Sequence, residues 1–295
     1  MEVVGFGALN VDKIYLVNDI PKAEEESYVI DLQVYTGGSS ANTISALAKM
    51  GIESGFIGKV GSDEYGKFLI EDLKSYGVYT EGVILSEGRT GCAMVFVDKK
   101  GNRAILLDPA VNDTIRFDEI DIDYVSRFKL LHMSSFVCKI SWDSFKSQER
   151  LTENFEGIIS FDPGSIYANF GLKKIEKLIK NTNIFMPNEI EVKTLTGLDY
   201  KDGADYFLEW CDVVVVKRGK LGCYVTNGKE SYEVPAFNVN VVDTTGAGDA
   251  FNAGFIYGFL KGRDIRDCAK LGNYFASLCI QKFGAKTYLK DYLQF

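Results

Sequence analysis

Asp243-Thr-Thr-Gly-Ala-Gly-Asp-Ala-Phe-Asn-Ala-Gly-Phe255 is the stretch from which the rest of this chain can be read. Gly246, Ala247 and Gly248 are small enough to let backbone N–H groups converge on one point. The apolar run from Ala250 to Leu260 predicts a helix that starts just there. A helix N-terminus with free N–H groups is a ready site for an anion such as phosphate. Asp249 places a carboxylate beside a site built to attract negative charge. Its chemical use there is as a base that takes the proton from a hydroxyl as that oxygen attacks phosphorus. The plain alternative is an aspartate that caps a buried helix.

Working outward, short apolar runs alternate with amphipathic stretches, the pattern of a parallel sheet with helices on both faces. Val3–Leu9, Gly55–Val60, Lys129–Ser134, Ile158–Asp162, Ile184–Met186 and Val213–Lys217 read as strands, and Leu221–Val225 with Ser231–Val234 as a hairpin turning at Asn227-Gly228. Ser39–Met50, Tyr65–Tyr76, Leu172–Lys180, Glu189–Thr196, Ala204–Trp210 and Ile265–Lys282 carry helical spacing. Two segments break the alternation. Residues 12–35 end in a half-exposed strand pattern, and residues 90–107 make a strand pair about the turn Asp98-Lys99-Lys100-Gly101-Asn102.

Composition excludes several classes. The 295 residues are 46% hydrophobic and 25% charged, as in a water-soluble globular protein. No apolar run approaches the ~18–20 residues that span a bilayer, and no signal peptide is visible, so a cytoplasmic protein is expected. The net charge of −8, with no basic stripe, argues against nucleic acid as a partner. Six scattered cysteines without a Cys-x-x-Cys pair read as small buried residues in a reducing compartment. The single histidine, His132, lies in the apolar run Leu130-Leu131-His132-Met133 and reads as a core residue, which discards a histidine-based triad.

A second glycine-rich stretch, Gly37-Gly38-Ser39-Ser40-Ala41-Asn42-Thr43, is followed by Ala46-Leu47-Ala48-Lys49-Met50-Gly51 and by Gly58-Lys59-Val60-Gly61-Ser62-Asp63-Glu64-Tyr65-Gly66. Together with residues 243–255, about 200 residues further on, it resembles the two signatures of the ribokinase-like carbohydrate kinases, the PfkB family. The similarity runs from Val3 to about Ala285. It implies an α/β fold, a three-layer sandwich with a mainly parallel central sheet, helices on both faces and a small β-sheet lid. The whole chain, 1–295, would be one kinase domain, with residues 12–35 and 90–107 as the lid and often the dimer contact. A homodimer through the lid is therefore expected.

The same resemblance distributes roles. Asp249 would be the general base and the amides of Gly246, Ala247 and Gly248 the anion hole. Asn10 and Asp12, just beyond the first strand, fall where open parallel sheets bind ligands, and Asp12 can accept hydrogen bonds from two sugar hydroxyls. An Asx turn into the lid is the plain alternative. Gly37 and Gly38 allow close backbone approach, and Ser39, Asn42 and Ser135 complete the acceptor side. Asn188 and Glu191 match the element that organises Mg²⁺ and its waters in similar kinases, although Asn-x-x-Glu alone is a helix cap box. Asn188, Lys217, Gly219, Gly222, Gly248 and Asn273 would hold ATP. The chain has no P-loop, so nucleotide must bind by this other route. Asp243, Thr245 and Gly284 fall where some members bind a monovalent cation such as K⁺, while Tyr288 stands where a small hydroxyl residue would be expected.

The acceptor side departs from ribokinases proper. Ser39 stands in place of their lysine, and Ser135 in place of their glutamate. Either the substrate is a different sugar, or it is a nucleoside whose base packs on Tyr15, Met94 or Phe96 of the lid. The expected activity is phosphoryl transfer from Mg-ATP to a hydroxyl of a small sugar or sugar derivative. The alternatives are a nucleoside kinase on the same scaffold and a sensor that kept the fold without the chemistry. A Rossmann dehydrogenase is excluded, because Gly5-Phe6-Gly7-Ala8 lacks the third glycine and its helix.

Overall fold

Val3, Val4, Phe6, Leu130, Leu131, Met133 and Val213 to Val216 are apolar on both sides of their strands, and each is buried. Strands of this kind are stable only with both faces covered. In the computed structural model, which describes residues 1–290, they form the middle of a nine-stranded sheet. In chain order its strands are β1 (Val3–Phe6), then, after two strands of a second sheet, β4 (Ser54–Gly61), β5 (Tyr79–Ser86), β8 (Leu130–Ser134), β9 (Ile158–Asp162), β10 (Ile184–Phe185), β11 (Val213–Lys217), β12 (Cys223–Thr226) and β13 (Ser231–Val234). Their order across the sheet is β13-β12-β11-β10-β9-β8-β1-β4-β5, parallel throughout except for the β11-β12-β13 turns. The sandwich expected from the sequence is what the chain adopts.

One face is covered by α1 (Ser39–Lys49), α2 (Glu64–Ser75) and two helices described below, through Ile44, Leu47, Leu69 and Leu73. The opposite face carries α3 (Ile122–Val125), α4 (Asp143–Asn154), α5 (Gly164–Phe170), α6 (Leu172–Lys180), α7 (Glu189–Thr196) and α8 (Tyr200–Phe207), packed through Phe145, Tyr167, Ile175 and Phe207. Finally α9 (Ala247–Leu260) and α10 (Ile265–Cys279) return to the first face beside α1. Helix α9 is apolar nearly all round because it is packed nearly all round: Ala250 to Ile256 are all buried. No helix among the described residues is long and apolar enough to cross a membrane. His132 is fully buried, and burial pushes its imidazole down to about 4, the core histidine expected.

The two irregular segments form a separate four-stranded sheet. Its order is β3 (Val29–Gly37), β2 (Asn10–Val17), β6 (Gly91–Asp98) and β7 (Arg103–Asp108). Strand β2 leaves β1 after three residues, so Asn10 and Asp12 sit at the root of this small sheet, beyond the carboxyl end of β1.

Its register corrects one expectation. Asp12 is paired with Tyr35 and Ala93, whereas Lys13 pairs with Val34 and Met94, and Tyr15 with Leu32 and Phe96. Side chains alternate between faces along a strand. Tyr15, Met94 and Phe96 therefore lie on the face opposite Asp12, where Tyr15 and Phe96 stack on each other at 5.1 Å. The aromatics expected to hold a base are turned away from the Asp12 carboxylate. An odd spacing of three residues from Asp12 to Tyr15 already carried that information.

Candidate active site

The glycine turn before α9 is built as the sequence suggests. Gly246 has φ 76°, left-handed backbone that glycine adopts without strain, and it packs directly against Ala285. The Ala247 N–H is spent on Thr244 O at 3.2 Å, so it does not belong to the anion hole as expected. The amides of Gly248 and Asp249, in the first turn of α9, have no carbonyl within the helix to bond. They aim outward with the positive end of the helix dipole.

Asp249 is enclosed by the start of α1. Ser39 Oγ donates to its Oδ1 at 2.6 Å and Asn42 Nδ2 to its Oδ2 at 2.8 Å, while Thr43 Oγ1 donates to its main-chain oxygen at 3.2 Å. Residues expected to touch the acceptor thus reach the carboxylate itself. Burial pushes the Asp249 carboxyl up to about 6 against these hydrogen bonds, with Asp162 pushing the same way and Lys217 opposing. Gly38, at φ 114°, turns the chain tightly over Ala8 O just before α1.

Across from Asp249 lies Asp12. Gly37 stands over its carboxylate, and any Cβ there would strike it, the close approach for which that glycine is required. Burial pushes the Asp12 carboxyl up to about 6, with Lys286 lowering it and Asp249 raising it. Asn112 Nδ2 donates to Asn10 Oδ1 at 2.8 Å, which fixes the Asn10 amide and leaves one lone pair on that oxygen. Ser135 follows β8 and faces Gly164.

Beyond the α9 turn opens a cavity of about 570 Å³. Lys217, Gly219, Gly222, Gly248 and Asn273 line it, so five of the six residues assigned to nucleotide fall in one place, while Asn188 lies outside its lining. Asn273 is a wall rather than a reader there: its Nδ2 donates to Val234 O at 3.0 Å and Pro235 O at 3.1 Å, fixing the loop after β13. Lys217 leans back from the cavity to Asp162 Oδ2 at 2.5 Å, and Asn252 Nδ2 donates to the same oxygen at 2.6 Å. Burial opposes ionisation of Asp162, but Lys217 and Asn252 hold its carboxyl below the usual range.

Asn188 and Glu191 form the full cap box at the start of α7. Asn188 N donates to Glu191 Oε2 at 2.8 Å, its Nδ2 to Oε1 at 2.7 Å, and Glu191 N to Asn188 Oδ1 at 2.9 Å. Glu191 is only 5% exposed. Among the described residues no group of three or more His, Cys, Asp or Glu is placed to chelate a metal. Asp243 accepts from the N–H and hydroxyl of Thr245 at 3.0 and 2.8 Å and from Gly284 N at 2.9 Å.

Sequence reading missed Asp162, Asn252, Asn112 and Lys286. The first two had signals: Asp162 ends an apolar strand run, where open sheets bind ligands, and Asn252 is one turn along from Asp249. Asn112 lies in a 3₁₀ segment between lid and core, where no period announces it.

An open parallel sheet, a glycine turn feeding a helix N-terminus and a half-buried carboxylate beside a cavity define a phosphotransferase of the sugar-kinase type. Residues 1–291 match the model of the pfkB family carbohydrate kinases, and the chain belongs to that family. An uncharacterized sugar kinase of Archaeoglobus fulgidus is 52% identical over 81% of this chain and 96% of its own. An ATP-dependent ribose-1-phosphate kinase of Halopiger xanaduensis is 32% identical, over 97% and 94% of the two chains. The solved ribokinase of Thermotoga maritima superposes with a TM-score of 0.86 at 28% identity, over 97% of this chain and 95% of that one.

Proposed function

We propose that this protein moves the terminal phosphate of Mg-ATP to a hydroxyl of a small sugar or sugar derivative, with Asp249 as the base. The observation that carries the reading is the position of Asp249. Among the described residues it is the one carboxylate lying both at the unpaired amides of α9 and next to Asp12, with the cavity lined by Gly248 on its other side. A hydroxyl held by Asp12 would give its proton to Asp249 as its oxygen attacks phosphorus. The amides of Gly248 and Asp249, with Lys217 close by, would take up the charge on the transferred group.

Mg²⁺ suits the donor set as an ion held largely through water. Glu191 and Asp162 are buried carboxylates that interact electrostatically at the edge of the site, and Mg²⁺ usually keeps several waters. The ion would neutralise the phosphates, and Glu191 with Asn188 would orient its waters. Glu191→Gln is expected to raise the Mg²⁺ concentration for half-maximal rate by about 10–100-fold. An unchanged Mg²⁺ dependence would leave the pair a helix cap.

The lid register favours a sugar over a nucleoside, since Tyr15 and Phe96 stack on each other on the face away from Asp12, while the face beside Asp12 carries Ile14, Ala93 and Val95, and its one aromatic, Tyr35, is already packed on Phe283. The opposite lid face exposes Leu32, Val34 and Leu106. Exposed apolar area of this kind supports a homodimer through the lid.

An ADP-release assay with Mg-ATP across pentoses, hexoses, keto-deoxy acids, sugar 1-phosphates and nucleosides tests the reading. A sugar or sugar derivative is expected to give the highest kcat/KM. Nucleosides ahead of every sugar would transfer the assignment to a nucleoside kinase, and no turnover of any acceptor would leave a sensor. With the best acceptor, Asp12→Ala is expected to lower kcat/KM by about 10²-fold or more, since two hydrogen bonds to a charged group are lost.

A further inference from the structure

We propose that Lys286 is the fixed counter-cation of the acceptor pocket, the positioning residue that lets Asp12 and Asp249 carry charge at the same time. Two carboxylates that face one another in a half-buried site resist joint ionisation, yet the proposed reaction uses both. This inference rests on that reading of Asp249 and Asp12.

Lys286 is 7% exposed, an unusual depth for a lysine. It follows Ala285, which packs against Gly246, and Gly284, whose N–H donates to Asp243 Oδ2 at 2.9 Å. The lysine is therefore anchored to the turn that precedes Asp249. Its ammonium ion-pairs with Asp72 of α2 and lies 5.3 Å from the Tyr76 ring centre. Tyr35, which shares the lid face of Asp12, touches the same segment through Phe283 at 5.9 Å. Lys286 thus stands where lid root, α2 and the start of α9 meet, and its charge acts on both Asp12 and Asp249.

Other groups around the two carboxylates do not supply this role. Asp249 also lies near Asp162, Lys217 and Cys279, and the Asp12 charge acts on Cys92, which pairs with Val11 on the other face of the small sheet. Lys217 is already matched by Asp162. The neutral donors Ser39 and Asn42 serve Asp249 alone. Asp72 offsets part of the Lys286 charge and keeps it in place.

The test is the pH profile of kcat/KM for the best acceptor at saturating Mg-ATP. In Lys286→Met the acidic limb is expected to move up by about one pH unit, the usual size for loss of one neighbouring opposite charge. The rate at pH 6 then falls roughly fivefold, approaches a tenfold loss at lower pH, and rejoins wild type above about pH 8.5. Lys286→Arg keeps the charge and the limb. Asp72→Asn removes a negative charge from a partly exposed helix position while keeping Lys286 itself, and its limb is expected to move down. A loss of equal size at every pH in Lys286→Met, or a limb unmoved or raised in Asp72→Asn, overturns the proposal. Full activity of Asp249→Asn would instead remove the reading beneath it.

Discussion

Asp249→Asn is expected to lower kcat by about 10²–10⁴, with nucleotide affinity within a few-fold of wild type, and to yield a more stable protein. The side chain fits: an asparagine amide there can donate to the hydroxyl oxygen of Ser39 or to Asn42 Oδ1, which is buried without a partner. What it cannot do is take a proton. The gain in stability follows from linkage. Burial raises the Asp249 carboxyl to about 6 in the folded protein. The native state then binds a proton more readily than the unfolded chain, so stability falls as pH rises through the window from the ordinary carboxylate value to about 6. Above it, a buried charge is carried at a cost of about 3 kcal/mol, which asparagine does not incur. Thermal melts at pH 8 together with kcat decide the matter. A variant that is dead and less stable would point to damaged packing, and one active within a few-fold would remove Asp249 as the base. The same carboxyl sets the expected acidic limb of the wild-type rate near pH 6.

Legibility of this chain followed the range of the interactions involved. Parallel strands such as Val213–Lys217 and the turn at Gly246 declare themselves because a few consecutive residues satisfy a local rule. Strand β5 did not, since it is an edge strand with exposed and half-buried positions and a glycine at 82. Nor did α4, a helix of mostly polar residues that holds the sheet through Phe145, Gln148 and Leu151. In the site, Asp249 and Asp12 were legible from position after a strand or before a helix. Their partners were less so. Ser39 reaches Asp249 across 210 residues and Lys286 reaches Asp72 across 214, and no periodicity links such pairs. The fate of the Ala247 amide was illegible for a subtler reason, because the turn before α9 uses one of its own donors.

Gly246→Ala is expected to cost about 10²–10³ in kcat, the loss typical when one aligned donor leaves a transition state. Two effects combine. Alanine at φ 76° carries about 1–2 kcal/mol of strain, and its Cβ would overlap Ala285, whose Cα is 2.7 Å from the ideal Cβ position. The cheap relief is to swing residues 244–248 away from the 284–286 segment, which tilts the Gly248 and Asp249 amides off the phosphate. Global stability should fall by no more than about 2–3 kcal/mol, because the strain is local and the core of α9 is untouched. The second site supplies the control. Ala285→Gly removes one of the two overlapping groups, so in the double variant about tenfold of the lost rate should return, a coupling that sites without shared contacts do not show. Additive losses in that cycle would mean that the turn and the 284–286 segment are not packed as described. A single variant with near-wild-type kcat would mean that the amides of α9 do not carry charge in the transition state, whatever their geometry.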